Sequence, residues 1–509
     1  MRIKVILNIV GGLLIMVGAS LFLPVIVGFY YGEKEAIDFL LLALLVLPVG
    51  FAISHFFRSP LDIRYQEGFA IVTISWVVIS AVGALPFIMT DTLSNFADAF
   101  FESVSGFTTT GATVIMSLEN VPQTVLFWRS LSHWMGGMGI IVMSMAILPE
   151  LAGKMQLYKA EVPGPMHERL KPKIRETAKT LLWIYVSLTI IQLILLYLNG
   201  LSFFDSIIHS FGTVSTGGFS SRTLSVRAYN SDAVDWIVTL FMFVAGVNLA
   251  LYYQTFKGKV GTIFKDQEFR VYAGIVIAFT CLITLNLRFN LYESIYQAFK
   301  HAAFQVVSII TTTGYSVVDY DIWPPLARWL LLMLMFIGGC AGSTAGGIKI
   351  IRLYALIKKC RLELFKLLHP RAVSHLTIGN NRISEEMSGG IFQFFFLYIL
   401  VFVISVIFLT SYGIDMVSSI SAVAATLGNI GPGLELVGPL KSFVSLPITA
   451  KYLLSGCMLM GRLEIYTVLV FLFGGFFFFF IIYFSELIQA WEITHCRGGN
   501  SDFSLLIVR

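Results

Sequence analysis

Hydroxyl residues followed by glycine recur along this 509-residue chain. They read Thr-Thr-Thr-Gly at 108–111, Val-Ser-Thr-Gly at 214–217, Thr-Thr-Thr-Gly at 311–314 and, more loosely, Gly-Asn-Ile-Gly at 428–431. What such stretches offer is oxygen. A ring of backbone carbonyls can replace the hydration shell of an alkali cation. Glycine accepts φ > 0, which lets successive carbonyls turn towards one axis. Thr and Ser hydroxyls tie back to the backbone or add ligands. An oxygen-only donor set suits hard cations and argues against transition metals. One Thr-Thr-Thr-Gly is weak evidence, because a turn or a tight helix contact explains it equally well. Copies in equivalent surroundings are strong evidence.

Two features lie outside these loops. The stretch 338–349, Gly-Gly-Cys-Ala-Gly-Ser-Thr-Ala-Gly-Gly-Ile-Lys, holds Gly338, Gly339, Gly342, Ser343, Thr344, Gly346 and Gly347 within an apolar region. It is not a phosphate loop, since no Gly-Lys-Ser/Thr follows. Gly338, Gly342 and Gly346 are four apart, which fits close helix packing. The same glycines fit a broken helix, which membrane depth tolerates only in polar surroundings. The second feature is Arg462, inside an apolar run. A charge there costs at least about 2.5–3.5 kcal/mol and is a functional candidate by default. An ion pair with Glu464 is the plainer alternative, but residues two apart do not face each other on a helix. A pore-facing Arg462 is favoured. Arg129 and Lys451 read as interfacial charges.

The elements that position these residues belong in a membrane. The composition is 57% hydrophobic and 13% charged, against about 45–50% and about 25% for soluble domains. Many windows exceed the roughly 20 apolar residues that span a bilayer. The expectation is an all-α polytopic membrane protein; a transmembrane β-barrel shows short alternating segments instead. The first apolar run, 5 to about 31, is too long for a secretory leader and reads as a retained helix. Cys281, Cys340, Cys360, Cys457 and Cys496 show no metal-ligand spacing and are expected as free thiols. Lys and Arg concentrate in loops 58–68, 153–179, 257–270 and 349–382 and at both termini. The positive-inside rule puts all of these in the cytoplasm. Each basic loop joins two spans, so topogenesis explains them and nucleic acid is not implied.

Between 68 and 153 the chain must leave the cytoplasm and return. Three apolar segments are available, at about 69–90, 94–107 and 124–148. The middle one is too short to span and carries Asp98 and Glu102. A half-helix that enters and returns on the outer side resolves the count. Its C-terminal end would carry about −0.5 charge towards the cavity. The motif then repeats. "FESVSGFTTTG" (101–111) aligns without gaps on "FQVVSIITTTG" (304–314), and the other two loops follow short segments of the same kind. Key glycines are Gly111, Gly217, Gly314 and Gly431. The organisation is an N-terminal hairpin (1–57) and pore repeats at 58–152, 153–256, 257–366 and 367–509. Such repeats predict pseudo-symmetric span–pore helix–span units around one central pore.

The loops resemble the filters of the Trk/Ktr/HKT potassium-transporter superfamily, and the hairpin and the 338–347 segment resemble its TrkH-type bacterial branch. The resemblance covers nearly the whole chain. It implies K⁺ as transported and filter-bound ion, with no organic cofactor. It implies filter carbonyls at Thr109, Thr110, Gly111; Ser215, Thr216, Gly217; Thr312, Thr313, Gly314; and Asn429, Ile430, Gly431. The fourth loop departs most from the pattern. In the superfamily, serine at the first key position accompanies sodium permeation, so Gly111 leans towards potassium. The resemblance also makes 338–347 an intramembrane gate and Arg462 its charged partner. It implies a homodimer in the bacterial inner membrane, controlled by a cytosolic ring of nucleotide-binding subunits. An ion-coupled secondary transporter or a sodium-permeable pore is the alternative. An enzyme is not expected: HExxH, GxSxG and paired carboxylates in a polar cluster are lacking.

Overall fold

The structure, a computed structural model, describes residues 3–58, 65–139, 174–256, 258, 261–371, 375–378 and 381–473. Most of the basic loop 153–179, the far end of the 124–148 segment, Cys496 and the C-terminal basic residues lie outside the described residues.

Among the described residues the regular structure is helical, apart from a two-residue antiparallel pairing of Thr377–Ile378 with Asn381–Arg382 and an isolated bridge between Ile337 and Ile348. The N-terminal run forms Ile3–Ser20 and Phe22–Tyr31, turns at Gly32 and returns as Glu35–Phe56. The turn is tied to the rest of the molecule by one carboxylate. Glu33 accepts the N–H groups of Gln123 (2.7 Å) and Thr124 (2.8 Å). An anion there complements the positive end of the helix Gln123–Gly137.

Each repeat then runs span, half-helix, loop, span. The first spans are Tyr65–Met89, Ile174–Leu198, Gln267–Asn290 and Glu385–Ser411. The half-helices are Phe96–Phe107, Phe203–Val214, Ile295–Ile310 and Met416–Leu427. A 12-residue helix rises only about 18 Å, well short of the roughly 30 Å hydrocarbon core. Polar caps start three of them: Asn95, Ser202 and Asp415 accept from backbone N–H groups two or three residues on. Protein surrounds them, and their buried residues include polar ones such as Glu102, His209, Gln305 and Ser421.

Among the described residues, the second spans of repeats two, three and four are broken. In repeat two, Asp232–Ala245 and Leu249–Thr255 meet at a 94° bend. In repeat four, Ile448–Leu463 and Ile465–Leu472 meet at 118°, across Glu464 with φ 62°. In repeat three, Pro325–Leu334 resumes only as Ile350–Leu368. The sequence pointed to an interruption in repeat three alone. Among the described residues, six helices are long and apolar enough to cross a membrane, and the bent pairs raise that to eight.

The borders between consecutive repeats carry charged contacts. Arg129 of repeat one lies over the Phe219 ring of repeat two, 4.0 Å from its centroid. Lys300 of repeat three meets Asp232 (2.6 Å) and Asp235 (3.2 Å) of repeat two. Arg328 of repeat three pairs with Glu435 of repeat four. Lys451 of repeat four closes the circle on Asp98 of repeat one at 2.6 Å.

Candidate functional site

Every half-helix hands over to its loop in the same way. Thr109, Thr216, Thr312 and Asn429 take left-handed backbone, with φ 53°, 56°, 57° and 55°. Two residues later Gly111, Gly218, Gly314 and Gly431 take φ 82°, 79°, 77° and 102°. The turn bonds agree: Thr110, Gly217, Thr313 and Ile430 donate to the carbonyls of Ser105, Gly212, Ser308 and Ala425 at 2.8–2.9 Å. The register in repeat two therefore moves by one residue from the sequence reading. Gly218, not Gly217, stands where Gly111 stands, and the corresponding triad is Thr216, Gly217, Gly218. Ser215 takes the place of Thr108, as the cap that ends its half-helix. The tandem glycines left either register open in the sequence; backbone conformation decides between them.

The key glycines interlock in chain order. A Cβ on Gly111 would strike the carbonyl oxygen of Gly217; on Gly218, that of Thr313; on Gly314, that of Ile430. On Gly431 it would come within 2.7 Å of the Thr110 oxygen. The loops thus form a closed cycle, each glycine packed against the carbonyl that precedes the next loop's glycine. A β-branched residue at φ > 0 is a genuine outlier. Such strain, about 1–3 kcal/mol per residue, survives only where the surroundings over-determine it.

Those surroundings are polar and differ from repeat to repeat. Glu102, buried behind the first loop, accepts Val114 N (2.9 Å), Thr113 Oγ1 (3.0 Å) and Arg129 Nε (2.8 Å). Arg129 is 1% exposed and also donates to Ser220 O at 3.3 Å. The interfacial reading of Arg129 and Lys451 is thereby corrected: both are buried within the protein and paired with carboxylates. The His133 ring stacks on Phe219 at 3.9 Å. Behind the second loop His209 meets Ser220 Oγ at 3.2 Å. Tyr315 of the third loop donates to Phe219 O at 3.0 Å. In the segment after the first loop Glu119 accepts Thr223 N at 2.9 Å. Partial burial of that carboxyl works against its charge, but hydrogen bonds from Thr223 outweigh this and hold its pKa below the usual value.

The 338–347 segment lies next to this cycle. It is not helical, so the four-residue glycine spacing does not make a helix-packing stripe. Gly338 N donates to Ile348 O (2.9 Å), which closes the segment on itself. Cys340 N reaches Gly246 O (2.9 Å), and Leu249 N reaches Gly342 O (3.1 Å), both across the break in repeat two. Ala341 N and Ile351 N share Glu268 Oε1 at 2.7 and 3.1 Å. Thr344 Oγ1 donates to Val214 O, the last residue of the second half-helix, at 3.1 Å. Gly346 N donates to Thr312 Oγ1 at 2.7 Å. Lys349 Nζ folds back on Ala345 O.

Arg462 stitches this layer together. Its Nη1 donates to Thr344 O (2.8 Å), and its Nη2 to Gly136 O (2.6 Å) and Gly137 O (3.1 Å). Glu464 is turned elsewhere: both its oxygens take Arg352 Nη2 at 2.7 Å. A guanidinium has donors enough to hold several carbonyls at once. Sequence reading gave Gly218 and Lys349 no role, and it missed Glu268 and Asn248, whose Oδ1 lies 2.8 Å from where a Cβ on Gly342 would sit. Gly246-Val-Asn248 in an apolar run was the signal available for a second break.

The family profile of TrkH, cation transport protein, matches residues 42–474. The Trk system potassium uptake protein TrkH of Salmonella typhimurium is 40% identical over 476 residues, spanning 92% of this chain and 98% of that protein. Its namesake from Vibrio parahaemolyticus is 41% identical over 481 residues, or 93% and 99% of the two chains. The crystal structure of the potassium transporter TrkH from Vibrio parahaemolyticus superposes with a TM-score of 0.84 at 38% identity, covering 93% of this chain and 99% of that one.

Proposed function

The chain belongs to the TrkH family of cation transport proteins, and from that premise we propose that it is the pore subunit of a bacterial potassium-uptake system. The family is one of transporters rather than enzymes. The observation that carries the proposal is the closed cycle of glycine-centred loops in chain order. Four backbone segments meeting this way present carbonyls of equivalent residues around one axis. The filter residues are Thr109, Thr110, Gly111; Thr216, Gly217, Gly218; Thr312, Thr313, Gly314; and Asn429, Ile430, Gly431. The negative ends of the half-helices favour a dehydrated cation without any fixed carboxylate. Glycine at every key position favours K⁺ over Na⁺.

The gate is the 338–347 segment with Arg462. A loop anchored to the first, second and fourth repeats fills the pathway, and a guanidinium within it repels cations. The bent second spans support the reading, because the break in repeat two gives the segment backbone partners at Gly246 and Leu249. The chain sits in the inner membrane with both termini in the cytoplasm, as a homodimer. Nucleotide control comes from a cytosolic ring that docks on the basic loops. Tracer rubidium uptake into liposomes containing the purified chain tests the proposal. Uptake that K⁺ competes away and Na⁺ does not is the expected result. Uptake equal to that of empty liposomes contradicts it.

A further inference from the structure

The four left-handed residues at the head of the loops are chemically alike but differently engaged. Each carries a side-chain oxygen or amide: Thr109, Thr216, Thr312 and Asn429. Thr109 Oγ1 and Asn429 Oδ1 are buried with no hydrogen-bond partner among the described residues. Thr216 Oγ1 turns back onto Ser215 O at 2.6 Å. Only Thr312 Oγ1 is bonded by the 338–347 segment, through Gly346 N at 2.7 Å. Gly346 has no room to move sideways there. A Cβ on it would sit 2.6 Å from Gly428 O and 2.8 Å from the Asn429 Cβ. The segment thus presses into the junction of the third and fourth loops, and its one bond to a loop-head side chain is the bond to Thr312.

We propose that Thr312 is the positioning residue through which the gate acts on the filter. The inference rests on the pore-and-gate reading above. While Gly346 N–H is bonded to it, the Thr312 hydroxyl anchors the segment in its closed placement. The positive end of that N–H dipole also lies at the inner end of the filter, where a cation would need an oxygen lone pair. Bond and ion compete for one atom. Withdrawing the segment breaks the bond and returns the oxygen to the ion pathway, so gate opening and filling of the innermost site become one event. The asymmetry has a plain origin. The segment belongs to repeat three, so it reaches the loop head of its own repeat, while Arg462 and Thr344 tie it to the others.

The test is a two-by-two comparison in liposome flux assays on the full chain. Thr312→Ser keeps the acceptor; Thr312→Val and Thr312→Ala remove it. Each is made in the intact chain and in a chain lacking residues 342–346, with monodispersity checked throughout. In the intact chain, the Val and Ala variants are expected to pass K⁺ roughly 2- to 10-fold faster than the Ser variant, the factor that one net hydrogen bond is worth. In the shortened chain the donor is gone and only the ion can use the oxygen, so that advantage is expected to vanish, with the Val and Ala variants passing K⁺ no faster than the Ser variant. An equal ratio in both backgrounds overturns the inference, because Thr312 then acts on the ion alone. Equal flux for Ser, Val and Ala in the intact chain overturns it too. If the shortened chain is itself no faster than the intact one, the gate reading fails, and that outcome is distinct from failure of the Thr312 link. Two acceptor-free variants guard against one that fails to fold.

Discussion

Three threonines and an asparagine hold left-handed backbone at the loop heads, and glycine holds it two residues later. Side chains at the glycine positions collide with the neighbouring loop's carbonyl rather than with a yielding side chain. Gly111→Ser is therefore expected to push the Gly217 carbonyl off its place and raise the sodium-to-potassium flux ratio, measured by paired tracers. An unchanged ratio with normal folding removes Gly111 from the filter. Behind that loop, Glu102→Gln leaves Arg129 buried without its counter-charge. Loss of about 3–5 kcal/mol is expected, read as a lowered melting temperature in detergent. Adding Arg129→Met should recover much of it, and no recovery would show that Arg129 is held by more than Glu102. The recurring loop turns were legible because glycine and hydroxyl residues recur at nearly fixed places. The Glu102–Arg129 pair was not, because neither its partner nor its burial leaves a trace in local spacing.

At the scale of elements, half-helices were legible from length: a segment such as 94–107 cannot span, and the charge pattern forbids a third crossing. The one-residue shift at Gly217 and Gly218 was not legible, since both residues are glycine and the choice depends on turn bonds from Gly212. Bends in the second spans were half legible. Repeat three announces its break with glycines, whereas repeat four turns at Glu464 between ordinary apolar residues. In the proposed reading, the broken segment with Arg462 is the element that closes the pathway. Deleting part of 338–347, or Arg462→Ala, is expected to raise K⁺ flux in liposomes several-fold or more. Wild-type flux in both variants would leave the segment as packing and Arg462 as a structural charge. The Thr312 link adds a second expectation, that these openings also change filling of the innermost filter site.

For the whole molecule, the repeats close on themselves through Lys451–Asp98 and the N-terminal hairpin clasps the first repeat through Glu33. Fourfold organisation was readable because the motif recurs in a fixed topological slot. Which repeat is unlike the others was less readable, since Glu102, His209 and Gln305 occupy corresponding places with unrelated chemistry. The basic loops supply the regulatory expectation. Charge reversal at Lys171, Lys173 and Arg175 should weaken co-purification of a nucleotide-binding ring, measured by size exclusion at fixed salt. Undiminished binding with loops 153–179 and 349–382 both altered would put the docking surface elsewhere. The most direct test of the central claim is the reversal potential of the purified wild-type chain in a bilayer with K⁺ on one side and Na⁺ on the other. A reversal near the K⁺ equilibrium potential is predicted. A reversal near zero, or on the Na⁺ side, from well-folded protein would contradict a potassium-selecting ring of carbonyls.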